Sequence, residues 1–289
     1  MPLQRASALM QPRNLPNRDT ADPGADPDSV HWVTGVAGAI AALGGPGFWD
    51  VLIAGIGALV EHQGAVVFRY RAHNEPDFLF GDFRNQVSRG DFREYRKRAY
   101  LLDPFYLAYL DRQPDGVHML RDLAADRFFF SEYCRTYYVQ TGLADEVGIF
   151  CRLADDDLVI VSLVRRKGTS GLSAKGIRAL RLLSPLFTSL VRRHLEQAES
   201  LLGKPRPATS GPPAARLHFG GDDKLTQREA AIADLILRGH SSPSMALLLG
   251  ISVETVKVHR RHIYTKLRIS SQAELFSRAM SRSAAGDRR

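Results

Sequence analysis

Lys257, Val258 and Arg261 are the residues whose types and spacing point most directly to chemistry. Successive residues in a helix turn by ~100°, so these three share a face with Glu254, early in a periodic stretch that begins at Val253. Two long cations one turn apart, beside a short apolar side chain, suit the floor of a DNA major groove. Guanine offers acceptors to Lys and Arg there, and the thymine methyl accepts apolar contact. Arg260 and Lys266 flank this face, in reach of phosphates, which fix position without reading sequence. Val256, His259, Ile263 and Leu267 line the other side, which needs a partner to bury it.

A cationic helix in an ordinary bundle has the same pattern, so the preceding elements decide between the two readings. Thr226 and Glu229 have the spacing of a capping box, in which each side chain satisfies a free backbone donor of the other. Ile232, Leu235 and Ile236 continue that helix as an apolar stripe, and Gly239 ends it. A short second helix is predicted from Pro243 to Leu249. Gly250, Ile251 and Ser252 form a turn, with Gly free to take a positive φ and Ser252 capping the third helix. Ala246 is small where two helices must cross, while Met245, Leu249, Ile251 and Val256 supply the core around it. His259 shares its face with Val256 and Ile263 and reads as a packing residue. No metal site is expected, because no cysteine or second histidine has ligand spacing to it.

Residues 225–280 resemble the LuxR/FixJ-type helix-turn-helix domain of bacterial transcription regulators. The matching residues are Leu225, Thr226, Arg228, Glu229, Gly239, Ala246, the run Leu249 to Ser252, the run Thr255 to His259, Ile263, Tyr264, Lys266, Leu267, Ala273 and Glu274. The resemblance implies a four-helix DNA-binding module in which Lys257, Val258 and Arg261 read bases and Ser252, Thr255 and Lys266 contact the backbone. It also implies dimerisation through the fourth helix, Gln272 to Met280, with Leu275 and Phe276 as contacts. One segment departs from the family pattern. Ser242 to Ala246 stands where Asn-Lys-Glu-Ile-Ala is usual, which removes one phosphate contact and one polar tie of the second helix.

Upstream, the pattern changes. Helices are predicted from Ser29 to Leu43 and from Phe48 to His62, broken by Gly44, Gly45, Pro46 and Gly47. Gly64 to Arg71 and Phe78 to Phe80 read as strands, as do Glu146 to Leu153 and Leu158 to Arg165. Aromatic helical stretches run from Asp91 to Asp111, interrupted at Asp103 and Pro104, and from Phe128 to Gln140. A long amphipathic helix from Ser173 to Leu202 closes the region. The expected fold is therefore an α+β domain, an antiparallel sheet with flanking helices, joined to an all-α helix-turn-helix domain. The expected divisions are a disordered tail at 1–29, the α+β domain at 30–202, a Pro- and Gly-rich linker at 203–221, the DNA-binding domain at 222–283 and a tail at 284–289.

The α+β domain suggests a signal input. Its hairpins, with no acidic pair after the first strand, argue against a phosphorylated receiver. It is most similar to GAF or PAS sensor domains; the alternative is an autoinducer-type sensor, whose aromatic helix running into an Asp-Pro dipeptide is matched by Tyr95, Tyr100, Asp103 and Pro104. Both tryptophans, Trp32 and Trp49, lie far upstream of where lactone receptors carry theirs. A small-molecule pocket would draw on Tyr95, Tyr100, Asp103, Tyr106, Tyr133 and Tyr137, with Phe92 and Phe105 nearby. The same aromatics equally suit a plain core, and Asp103 equally suits a cap for a helix starting at Pro104.

Composition agrees with a DNA-binding protein without requiring one. The net charge of +8 favours a polyanionic partner. Two cysteines, Cys134 and Cys151, are too few for a disulfide framework and suit a reducing compartment. The most apolar region, Val33 to Val60, is cut by glycines and Pro46 into pieces shorter than the ~20 residues of a membrane span. A cytoplasmic protein without a membrane partner is expected. No phosphate-cradling glycine loop or nucleophile elbow is present, so neither an enzyme nor a cofactor is expected. The sequence thus predicts a dimeric, double-stranded-DNA-binding transcription regulator, with or without a small-molecule ligand. In the ligand-free alternative, the N-terminal domain serves only dimerisation or protein interaction. A scaffold that binds DNA by charge alone, without sequence preference, remains the third class.

Overall fold

The computed structural model describes residues 27–71, 75–82, 95–96, 98–139, 142–153, 156–170, 172–201 and 224–281. The predicted tails, the linker and Phe92 lie outside the described residues, apart from Pro27 to Ser29 at the start of the first helix.

Helices α1 (Pro27–Ala41) and α2 (Phe48–Gly57) precede a hairpin of β1 (Gly64–Tyr70) and β2 (Asp77–Asp82). A 3-10 turn (Ala99–Leu102) leads into α3 (Pro104–Leu110), then β3 (Gly116–Met119) and a one-turn α4 (Leu120–Leu123). The expected Phe128–Gln140 helix is instead three short pieces: a 3-10 turn (Phe128–Phe130), α5 (Glu132–Cys134) and a π turn (Arg135–Val139). Strands β4 (Leu143–Arg152) and β5 (Leu158–Arg166) follow, then α6 (Ala174–Leu201). The sheet order is β2-β1-β5-β4-β3, and every neighbouring pair is antiparallel. That rules out the doubly wound parallel sheet of a receiver.

Both faces of this sheet are covered, which explains why β1 is buried along its whole length. Ala65, Val67, Val147, Ile149, Val159 and Val161 face α1, α2 and α6. The alternate residues Val66, Phe68, Tyr70, Phe150, Leu158 and Ile160 face the aromatic segments between β2 and β4. α1 and α2 cross closely at a glycine pair: a Cβ on Gly35 would lie 2.4 Å from the Gly55 Cα.

The C-terminal unit is four helices: α7 (Gln227–Leu237), α8 (Ser242–Leu249), α9 (Val253–Leu267) and α10 (Gln272–Ser281). Its apolar residues join the layer below the sheet in one continuous buried cluster, so the two units touch directly.

Candidate DNA interface and buried polar cluster

The predicted caps form. Thr226 accepts from the Glu229 amide while Glu229 accepts from the Thr226 amide, closing the box that starts α7. Gly250 takes φ +64° at the end of α8, a conformation that an L side chain resists. Ser252 then accepts from the Thr255 amide at 3.0 Å and starts α9. The segment that departs from the family pattern finds its own ties. Ser241 caps α8 by accepting from the Ser244 amide at 3.2 Å, His240 Nδ1 and Ser244 Oγ share a hydrogen bond of 2.9 Å, and Met245 is fully buried.

Within α9, Val256, Ile263 and Leu267 are buried against α7 and α8, and each such burial contributes roughly 1.5–3 kcal/mol. The opposite face is open. The Lys257 side chain is 58% exposed and pairs at 2.8 Å with exposed Glu254, Val258 is 43% exposed, and Arg261 is exposed. Ser252 and Thr255 are exposed beside them, their hydroxyls 2.8 Å apart. Arg260 is half-buried and its guanidinium donates to Ser242 Oγ at 3.3 Å, tying α9 to the start of α8.

Two more of the expected site residues meet partners within the chain. Lys266 is 39% exposed, and its ammonium lies 2.7 Å from Glu229 Oε2. Leu275 is fully buried in the four-helix core, packed within its own chain. Phe276 is half-buried and also packs on that core. His259 is half-buried as a packing residue, and among the described residues no group of His, Cys, Asp and Glu is placed to hold a metal ion.

Below the sheet, the predicted aromatics do meet. Asp103 is buried at the start of α3, where Oδ1 accepts from the Phe105 amide at 2.8 Å as a helix cap. Its Oδ2 accepts from the Tyr95 hydroxyl at 2.8 Å and the Tyr133 hydroxyl at 3.0 Å. Tyr137 lies over Tyr133 with ring centroids 5.2 Å apart, and Tyr100 meets Tyr106 edge-on at 4.8 Å. Burial raises the Asp103 carboxyl above its usual range, although these hydrogen bonds work against the shift. Sequence reasoning missed three members of this cluster: Tyr70, whose hydroxyl bonds that of Tyr95 at 2.8 Å, and the pair Tyr138 and Glu146. Tyr138 donates to Glu146 Oε2 at 2.6 Å. Burial first, and then the Asp103 charge, push the Glu146 carboxyl up to about 7. The signal for Glu146 was its alternation with Phe150 in β4, which puts both on one sheet face.

An opening of about 690 Å³ lies elsewhere, lined by Asp115, Arg152, Arg192, Glu196 and Glu199. Arg192 is paired with Asp115 and Arg152 with Asp156, so its cations already have anionic partners.

Comparison with known proteins agrees with this geometry. Residues 223–279 match the family described as bacterial regulatory proteins, luxR family. The chain is 35% identical over 183 residues to the proposed HTH-type transcriptional regulator in the exeN 3′ region of Aeromonas salmonicida, covering 61% of this chain and 91% of that protein. It is 25% identical over 223 residues to the monoamine regulon transcriptional regulator of Klebsiella aerogenes, covering 77% and 86% respectively. Among solved structures, the VqsR LBD domain from Pseudomonas aeruginosa shares the N-terminal fold, with a TM-score of 0.51 and 23% identity over 57% of this chain and 97% of that one.

A capped helix-turn-helix with an outward cationic face, matched to the luxR family and to a relative that is a transcriptional regulator, defines a DNA-binding transcription regulator. The chain belongs to the luxR family of bacterial regulatory proteins.

Proposed function

We propose that α9 reads base edges in the major groove through Lys257, Val258 and Arg261, while Ser252, Thr255 and Arg260 hold the phosphate backbone. The observation that carries this reading is the division of one helix into a buried side (Val256, Ile263, Leu267) and an open cationic side (Lys257, Arg261). Lys266 has a different part in it: its bond to Glu229 fixes the end of α9 instead of meeting a phosphate. Two copies act together, placing two such helices in successive grooves about one DNA turn apart. Leu182 and Leu201, 79% and 78% exposed on α6, are apolar surface available to such pairing. The protein works by binding rather than by turnover, in the compartment that holds its DNA. No helix among the described residues is long and apolar enough to cross a membrane.

For the N-terminal domain, the ligand-independent reading is favoured by a specific observation: both Asp103 oxygens are engaged by the chain's own Phe105, Tyr95 and Tyr133. A ligand in this space would have to displace those hydroxyls. Titrating full-length protein into cognate and random duplexes, with and without Arg261→Ala, tests the reading. A selective loss on the cognate duplex is expected, and equal losses on both would remove Arg261 from base reading.

A further inference from the structure

The two units meet at the segment between α4 and β4. Here the Arg127 amide donates to the Gly239 carbonyl at 2.9 Å, and Asp126 Oδ1 accepts from the Ser241 amide, also at 2.9 Å. Gly239 and Ser241 are the turn between α7 and α8. The approach is so close that a Cβ on Gly239 would lie 2.7 Å from the Phe128 Cα. α5, a few residues on, packs against α10. Burial favours a neutral Asp126, but the Ser241 hydrogen bond and the His240 charge outweigh it and hold that carboxyl below its usual range.

The same segment reaches inward. The buried Phe128 ring meets Tyr133 at 5.9 Å and Tyr138 edge-on at 5.7 Å between centroids. Those two tyrosines donate to Asp103 and Glu146. A continuous path of packed groups therefore joins the buried carboxylates to the DNA-binding module: carboxylate, tyrosine, Phe128 ring, Phe128 backbone, Gly239. The segment is also built from 3-10, single-turn α and π pieces, whose weaker internal hydrogen bonding lets the chain hinge between them more readily than within a regular helix. A pocket of about 100 Å³ remains at the seam, bordered by Arg127, Phe130, His240, Ser241 and Arg260, which leaves the contact room to move.

We propose that residues Asp126 to Tyr138 are a lever that docks the DNA-binding module on the N-terminal domain and relays to it the hydrogen-bonding state of Asp103 and Glu146. In the docked state the reading face of α9 stays open, so the lever sets the direction in which that face points rather than covering it. Anything that draws the Tyr133 or Tyr138 hydroxyl off its carboxylate moves Phe128, and with it the turn on which α8 starts. The inference rests on the proposed DNA reading by α9 for its biological consequence, but not for its test.

Amide hydrogen exchange on the full-length chain without DNA provides that test. Asp126→Ala removes the acceptor on the Ser241 amide and is expected to quicken exchange across 239–244 by about tenfold, the loss of one charge-assisted bond. Tyr133→Phe, which touches no residue of the DNA-binding module through its hydroxyl, is expected to quicken the same amides. Tyr138→Phe makes the same comparison at Glu146 if Tyr133→Phe does not fold. Unchanged exchange at 239–244 in Asp126→Ala would overturn the docking contact. Quickening in Asp126→Ala without any in the tyrosine variants would overturn the relay. Because no duplex is present, a failure of DNA binding leaves both outcomes readable.

Discussion

Glu229 Oε2 lies 2.7 Å from Lys266 Nζ, joining the first turn of the helix-turn-helix unit to the last turn of its recognition helix. The same oxygen accepts from the Thr226 amide at 2.8 Å and the Thr226 hydroxyl at 3.0 Å, and the Glu229 side chain is only 3% exposed. Burial alone would raise this carboxyl, but the Lys266 and Thr226 hydrogen bonds outweigh it and hold it below the usual carboxylate range. The recognition helix is therefore aimed by an electrostatic clamp as well as by its apolar side.

Removing either partner should cost stability before it costs phosphate contacts. Lys266→Gln strands a buried carboxylate and is expected to destabilise the C-terminal unit by about 1–3 kcal/mol. The slope of binding affinity against salt should stay as in the wild type. A slope shallower by about 0.9 in the variant would mean that Lys266 does neutralise a phosphate.

Base reading makes a different prediction. Lys257→Ala and Arg261→Ala should each weaken cognate binding by about 1–3 kcal/mol and relax preference at one position. Their folding should be unaffected, because Arg261 is exposed and the Lys257–Glu254 pair is an exposed one. Competition binding against single-base operator variants, together with thermal melts, separates the two effects.

Glu146 predicts an unusual pH dependence. Its folded value of about 7 exceeds the unfolded value of 4.5, so the folded state holds the extra proton between these limits. This group's stabilising contribution is present below about 4.5 and is lost as pH rises through 7, by up to about 3 kcal/mol in all. Glu146→Gln keeps an acceptor for Tyr138 and should raise the melting temperature at pH 8 while leaving it nearly unchanged at pH 4.5. Equal shifts at both pH values would show that Glu146 ionises as an ordinary surface carboxylate does.

His194 works in the opposite direction over an overlapping range. Its ring stacks on Phe48 at 3.9 Å, and Nδ1 accepts from the Gly44 amide at 3.1 Å, an arrangement that needs the neutral imidazole. Burial lowers its pKa to about 4, below the ordinary 6.5. The unfolded chain thus binds the proton first, and stability falls as pH drops from 6.5 through 4, by up to about 3 kcal/mol. His194→Gln should flatten that limb of the stability curve, as read by urea titrations at stepped pH. A limb unchanged in the variant would assign the acid sensitivity to another group.

The helix-turn-helix unit could be read from the chain because its signals are local. A cap at Thr226 and Glu229, a positive-φ glycine at Gly250 and a cap at Ser252 each involve neighbours within a few residues, and backbone sterics alone dictate them. The four long strands were legible for a similar reason, since β-rich runs end at turn residues. β3, Gly116–Met119, was not: it is short, and its pairing with β4 comes from chain that is remote in sequence. The single predicted helix at Phe128–Gln140 is three short pieces instead, and Tyr133 and Tyr138, which a regular helix would turn about 140° apart, both reach buried carboxylates.

Periodicity specified which side of a helix is apolar, and with it the open face of Lys257 and Arg261. What covers each apolar side was decided only in three dimensions. By sequence, Leu275 reads only as a contact for a neighbouring subunit; that the closing of four helices buries it in its own core is visible only after folding. Lys266 reads only as a phosphate contact; its second partner, Glu229, lies 37 positions away and meets it only on folding. Spacing along the chain fixes directions from the backbone; partners depend on which distant surfaces are brought together, and that is a property of the packed whole.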